Sequence, residues 1–227
     1  PAGEPEGLLV LHHGRGTDER DLLGLADALD PEARLHVVTP RAPLSLPGSP
    51  GFHWYLVPRV GYPDHETFHA ARRALAELHD RLWEQTGVGP ERTVFGGFSM
   101  GTVMSYTMAL DAERPAVPGI LAFSGFVPIV EGWERSLPHR ADTRVFLAHG
   151  RRDPIMEIGF AHRARDLLAR KGLGVEYHES DVGHQIAPAH LRYAPGWLGG
   201  PGEAAPIHGG NTQCLSRIDC RWGSTGP

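Results

Sequence analysis

Residues 93–105 read Thr93-Val94-Phe95-Gly96-Gly97-Phe98-Ser99-Met100-Gly101-Thr102-Val103-Met104-Ser105. A short apolar run ends in Gly97-Phe98-Ser99-Met100-Gly101, and small and β-branched residues follow it. This is G-x-S-x-G in a strand–turn–helix setting. Glycines two positions either side of the serine let the chain turn tightly, which lifts the Ser99 side chain clear of a sheet and aims a helix N-terminus at developing negative charge. Alone, the motif also fits an ordinary βα turn capped by Ser99. The rest of the chain decides between the two.

Working outward, six short runs rich in Val, Ile, Leu and Phe recur: Gly7–His12, Arg34–Thr39, Thr93–Gly97, Gly119–Ser124, Arg144–Ala148 and Gly174–Glu179. Amphipathic patterns lie between them: Glu19–Leu29 behind Asp18 as N-cap, Glu66–Gln85 and Ile158–Lys171. In the second, Phe68, Ala71, Leu75, Leu78 and Leu82 share a stripe, and Gly172 ends the third. A fourth helix begins at Ser99. Near-continuous apolar strands alternating with helices predict an α/β fold, a mostly parallel sheet of about six strands with helices on both faces. Two connections, 40–63 and 125–143, are long and rich in proline and aromatics. Such loops form functional walls, or their aromatics anchor them to the body.

The chain has 227 residues with 41% apolar content, enough for one packed core at roughly 150 residues per domain. Gly and Pro together make 49 of 227 residues, below the roughly 25–30% that marks low-complexity chains. We therefore expect one domain over 1–198 and a Gly/Pro-rich tail over 199–227 that is not a domain. A net charge of −5 gives no overall positive field for nucleic acid or an anionic membrane. No apolar run approaches the roughly 18 residues of a membrane span, so no stable membrane insertion is expected. The only cysteines, Cys214 and Cys220, sit in the tail, paired or free. The expected location is cytoplasmic, although a removed signal peptide would leave no trace.

A serine hydroxyl becomes nucleophilic only beside a general base, itself oriented by a carboxylate. On a sheet of this kind Asp or Glu comes next in the chain and His last, each past a strand end. Asp153 follows the run Arg144–Ala148, and His184 follows Gly174–Glu179. Asp181 is too near His184, and Asp166 belongs to a helix. His65, His69, His79 and His162 fall in helical stretches and read as solvated. An oxyanion needs two backbone donors. Met100, after the serine, supplies one; Arg15, in the Gly-rich turn His13-Gly14-Arg15-Gly16, supplies the other. That turn matches neither phosphate-loop pattern, which removes a nucleotide site.

Four blocks now stand in order: Leu11-His12-His13-Gly14-Arg15-Gly16, Gly96-Gly97-Phe98-Ser99-Met100-Gly101, His149-Gly150-Arg151-Arg152-Asp153-Pro154 and Gly183-His184-Gln185-Ile186. They resemble the blocks of the phospholipase/carboxylesterase branch of α/β-hydrolases, which also contains acyl-protein thioesterases. The resemblance covers about residues 7–198. It implies a Ser99–Asp153–His184 serine esterase that acts on a small-molecule ester through an acyl-enzyme, with no cofactor or metal and no large lid domain. Trp54 stands where the family often has an aromatic lining residue; with Phe52, Phe126 and Met100 it predicts a modest apolar pocket for short or medium acyl chains. Thioesterase members typically carry Gln where this chain has Met100, which favours esters over protein deacylation. Thioesterase or lysophospholipase activity is the alternative, with a non-catalytic binding protein behind it. The expected strand order puts Arg34–Thr39 at a sheet edge, to be shielded by the tail or by a second copy in a homodimer.

Overall fold

The computed structural model describes residues 5–199; the tail from residue 200, with Cys214 and Cys220, lies outside the described residues. Strands β1 (Gly7–His12), β2 (Leu35–Val38), β5 (Thr93–Phe98), β6 (Gly119–Phe123), β7 (Arg144–Gly150) and β8 (Gly174–Ser180) form one sheet. Its order is β2-β1-β5-β6-β7-β8 and every pairing is parallel. The six apolar runs thus form the expected sheet, with β2 at its edge.

Alternation along the strands divides the core in two. Leu8, Val10, Ile120, Ala122, Val145 and Leu147 belong to one apolar cluster, while Leu9, Leu11, Leu121, Phe123, Phe146 and Ala148 belong to the other. Successive side chains point to opposite faces, so strands buried on both faces must be apolar at every position. Each fully buried Leu, Ile, Val or Phe contributes roughly 1.5–3 kcal/mol relative to exposure. The first face carries α2 (His65–Thr86), α3 (Met100–Leu110) and α4 (Ile158–Arg170); the second carries α5 (Pro188–Leu198).

The helix signals work where local chemistry and burial agree. Asp64 caps α2 by accepting the Thr67 N–H at 3.0 Å, and the stripe Phe68, Ala71, Leu75, Leu78 and Leu82 is buried. Gly87 (φ 67°) ends that helix in the left-handed region, and Gly172 (φ 88°) follows α4.

The expected helix Glu19–Leu29 is absent. In its place stand a 3₁₀ turn, Leu23–Leu25, and a single α turn, α1 (Ala26–Leu29). Asp18 accepts the Arg20 N–H at 2.9 Å, an Asx turn that competes with helical continuation, and Glu19 pairs with Arg41. Of the apolar residues there only Leu22 and Leu29 are core members, too thin a stripe to offset helix nucleation. Conversely, α5 forms where the sequence signals only a helix start near His190. It starts at Pro188 without a side-chain cap and contains Pro195, and it is held by burial of Ala194 and Trp197. In the loop 40–63, β3 (Leu44–Ser45) and β4 (Phe52–His53) make a short antiparallel pair. No helix among the described residues is long and apolar enough to cross a membrane.

Candidate active site

Ser99 sits between the end of β5 and the start of α3 with φ 56° and ψ −117°. For a non-glycine residue this conformation costs on the order of 1–3 kcal/mol, and the surroundings must enforce it. They do so by contact. The Ser99 N–H donates to Phe123 O at 2.9 Å, and the single Thr102 hydroxyl proton is shared between Gly97 O and Phe123 O, 2.5 and 2.6 Å from Oγ1. A Cβ at Gly97 would lie 2.5 Å from the Gly101 carbonyl carbon, and one at Gly101 would lie 1.9 Å from His12 O. Both flanking glycines are required by close backbone approach.

Two further strand ends bring an imidazole and a carboxylate to Ser99. His184 Nε2 is 2.9 Å from Ser99 Oγ, and His184 Nδ1 is 2.6 Å from Asp153 Oδ2. The other carboxylate oxygen, Oδ1, accepts the N–H groups of Ile155 (2.9 Å) and Met156 (2.8 Å). Asp153 therefore presents one oxygen to the ring and has the other fixed. The loops that carry Asp153 and His184 are joined by backbone bonds, Arg151 N–H to Ser180 O at 2.8 Å and Arg152 N–H to Val182 O at 3.0 Å. Beside them His149 donates Nε2–H to Met156 O at 2.6 Å, and burial holds its pKa below the usual imidazole value.

Arg15 lies in the turn after β1, and Met100 opens α3 directly after Ser99. Neither backbone N–H has an acceptor among the turn and loop backbone bonds of the described residues. A cross-chain strut connects their supports. Trp54 Nε1 donates to His13 O at 2.9 Å, two residues before Arg15, while the Trp54 backbone N–H donates to Met100 Sδ at 3.3 Å.

That strut corrects one sequence expectation. Trp54 is 0% exposed and packs edge-on against His12, leaving no surface for a substrate; it ties the end of β1 to the start of α3 instead of lining a pocket. Phe126 is also covered, 5.2 Å from the Phe160 ring. Phe52 is half-buried under the Arg41 guanidinium, and its backbone binds Gly16 N–H and Thr17 O at 2.9 and 2.7 Å. Of the three proposed lining residues, only Phe52 keeps appreciable exposure.

Sequence reasoning also passed over Phe98 and misread His79. Phe98, the first variable position of G-x-S-x-G, places its ring 4.8 Å from that of His184, and a Cβ at Gly14 would lie 3.2 Å from the same ring. His79, read as solvated, is 1% exposed and stacks on Phe95. Its Nε2 is 3.4 Å from Nε2 of His12, whose Nδ1 reaches Ser105 Oγ at 2.9 Å. A helical stripe containing His79 directly after Leu78 was the available signal. Among the described residues no group of three or more His, Cys, Asp or Glu side chains could hold a metal ion.

A family model described as phospholipase/carboxylesterase matches residues 1–198. The chain belongs to this family. Similar proteins include acyl-protein thioesterase 1 of Debaryomyces hansenii, 30% identical over 180 residues that cover 74% of this chain and 73% of that one. Esterase YpfH of Escherichia coli is 28% identical over 200 residues, 82% of each chain. Among solved structures, the Bacillus cereus carboxylesterase superposes with a TM-score of 0.75 at 25% identity, covering 87% of this chain and 90% of the other. This family member is a serine hydrolase with an α/β-hydrolase fold.

Proposed function

We propose that the protein is a carboxylesterase that hydrolyses short- to medium-chain carboxylic esters through an acyl-enzyme on Ser99. The observation that carries this reading is the continuous pair of contacts from Ser99 Oγ to His184 Nε2 (2.9 Å) and from His184 Nδ1 to Asp153 Oδ2 (2.6 Å). With Nδ1–H donated to Asp153, the His184 ring keeps a lone pair on Nε2 for the serine proton. As Ser99 Oγ bonds to the ester carbon, its proton passes to Nε2 and the carbonyl π pair becomes an oxyanion. The N–H groups of Arg15 and Met100 receive that charge, and Asp153 stabilises the imidazolium. Collapse expels the alkoxide, which takes the proton from His184. Water then repeats the sequence: His184 accepts its proton, hydroxide oxygen bonds to the acyl carbon, and Ser99 leaves with the proton as the acid is released.

The preference for shorter acyl groups rests on how little apolar surface faces the reacting atoms. Trp54, Met100 and Phe126 are 0%, 2% and 6% exposed. A thioester reading has its own support, the similarity to the Debaryomyces hansenii acyl-protein thioesterase 1. One kinetic series separates the two. Rates are measured for p-nitrophenyl esters from acetate to palmitate and for thioesters of the same acids. A kcat/KM maximum between acetate and octanoate, with esters above matched thioesters, supports the carboxylesterase reading. A palmitoyl optimum or a preference for thioesters overturns it in favour of the second.

A further inference from the structure

The peptide unit joining Gly14 to Arg15 is held by its carbonyl. Gly14 O lies 2.7 Å from His13 Nδ1 and accepts the Thr17 hydroxyl at 3.0 Å. The ring's tautomer follows from its other side. Ala42 N–H donates to His13 Nε2 at 3.0 Å, and a backbone N–H has nothing to accept with, so Nε2 carries the lone pair. In the neutral ring the proton is then on Nδ1, aimed at Gly14 O, with Thr17 Oγ1 3.1 Å away closing the triangle. Burial keeps the ring in that neutral form by holding its pKa below the usual imidazole value.

A trans peptide bond is planar, and its C=O and N–H point to opposite sides. No cis bond occurs among the described residues. Two donors on Gly14 O therefore fix the direction of the Arg15 N–H. Without them this peptide can turn about Gly14 ψ and Arg15 φ, and Gly14, lacking a Cβ, imposes little restraint on its own torsion.

Resting on the reading of Arg15 N–H as an oxyanion donor, we propose that His13 and Thr17 are positioning residues: the His13 Nδ1–H and the Thr17 hydroxyl clamp the Gly14–Arg15 peptide so that its N–H is preset toward the oxyanion. Neither side chain touches the substrate. The clamp matters only when charge develops on the carbonyl oxygen, so it acts on kcat and leaves KM alone.

The two nitrogens of His13 can be tested separately because His13 is buried and its removal alone could unfold the protein. The amide nitrogen of Asn reaches about where Nδ1 stands, whereas the amide oxygen of Gln reaches about where Nε2 stands. The variants are His13→Asn, His13→Gln, Thr17→Val and Thr17→Ser. Each is read by kcat and KM for p-nitrophenyl acetate and by Ki for a trifluoromethyl ketone, whose serine adduct carries the oxyanion. For Thr17→Val and His13→Gln, kcat is expected to fall about 10- to 100-fold and Ki to rise by the same factor, somewhat less than outright loss of a donor, with KM unchanged. Thr17→Ser and His13→Asn recover most of each loss. Equal losses in the Asn and Gln variants, a fall in kcat with Ki unmoved, or a change in thermal stability alone overturns the clamp. Ser99→Ala distinguishes the two levels. If it still turns over ester, the underlying esterase reading fails; if it is inert while Thr17→Val matches the native enzyme, only the clamp fails.

Discussion

Gly101→Ala places one methyl group between the two halves of the proposed oxyanion hole. The added Cβ would stand 1.9 Å from His12 O, 2.4 Å from the His12 carbonyl carbon and 2.6 Å from His13 O. Cβ contacts below 3.0 Å essentially do not occur, so the end of β1 and the start of α3 must separate by about 1.1 Å or more. None of the three obstructing atoms is a movable side-chain end. The separation carries Arg15 away from Met100, and a misplacement of about 1 Å can cost on the order of 100-fold in rate. We therefore expect kcat for p-nitrophenyl acetate to fall about 10²- to 10³-fold, the range for loss of an oxyanion donor, with a smaller change in KM. Overpacking of this kind also costs about 1–3 kcal/mol, or roughly 2–12 °C in Tm for a chain of this size. Steady-state kinetics below the variant's Tm, with active sites counted by titration, keeps the two effects apart. Gly24→Ala is the control, because a Cβ there meets nothing within 4 Å. A Gly101→Ala enzyme with near-native kcat would refute the reasoning, as would a Gly24→Ala enzyme equally impaired.

Asp153→Asn keeps an oxygen for the Ile155 and Met156 N–H groups but cannot accept His184 Nδ1–H, so kcat should fall on the order of 10⁴-fold while the urea midpoint stays close to native. Arg140 is 5% exposed and donates to Ala109 O, Asp111 O and Arg114 O at 2.9, 2.6 and 2.7 Å, covering the carbonyl end of α3. Arg140→Met leaves these acceptors without their donor and should cost about 3 kcal/mol or more by urea unfolding, with kcat of the folded enzyme unchanged. Acid should unfold the protein early. Burial holds the pKa of His12 at about 3 and of His190 at about 4, and pushes that of His79 well below the usual value. Below pH ~6.5 the unfolded chain takes up protons that these folded groups refuse, so stability is full above that pH and falls as pH drops toward 4. At about 1.4 kcal/mol per pH unit for each proton, the three together give roughly 3–4 kcal/mol per unit near pH 5. Urea midpoints from pH 4.5 to 7.5 should show this slope, reduced by about one proton in His79→Gln; a flat profile contradicts it.

The parallel sheet was legible because strands buried on both faces have to be apolar at every position, as Leu8 to Leu11 and Ile120 to Phe123 are. The serine turn was legible because its requirement is local: Gly97 and Gly101 answer contacts made within a few residues or against one neighbouring strand end. His184 and Asp153 lie 85 and 31 positions from their partners, and no periodicity links them; their order along the chain and their place after strands singled them out. Elsewhere tertiary contacts overrode the local pattern. The stretch 19–29 has helical periodicity, yet Asp18 and Glu19 spend their carboxylates on a turn and on Arg41. Trp54 is an aromatic in a wall loop, which reads equally well as a lining or as an anchor. Only its two bonds, to His13 O and to Met100 Sδ, reveal that it ties the end of β1 to the serine turn. His79 was hidden for a similar reason, since its polar partner, His12, lies 67 positions away.

The proposed chemistry stands or falls on a covalent bond to one oxygen. The native enzyme is incubated with a fluorophosphonate, digested, and the adduct located by peptide mass spectrometry. We expect a single phosphonyl group on Ser99, loss of esterase activity in step with its formation, and neither labelling nor turnover in Ser99→Ala. Modification elsewhere with Ser99 untouched, or ester hydrolysis that survives in Ser99→Ala, would contradict the account.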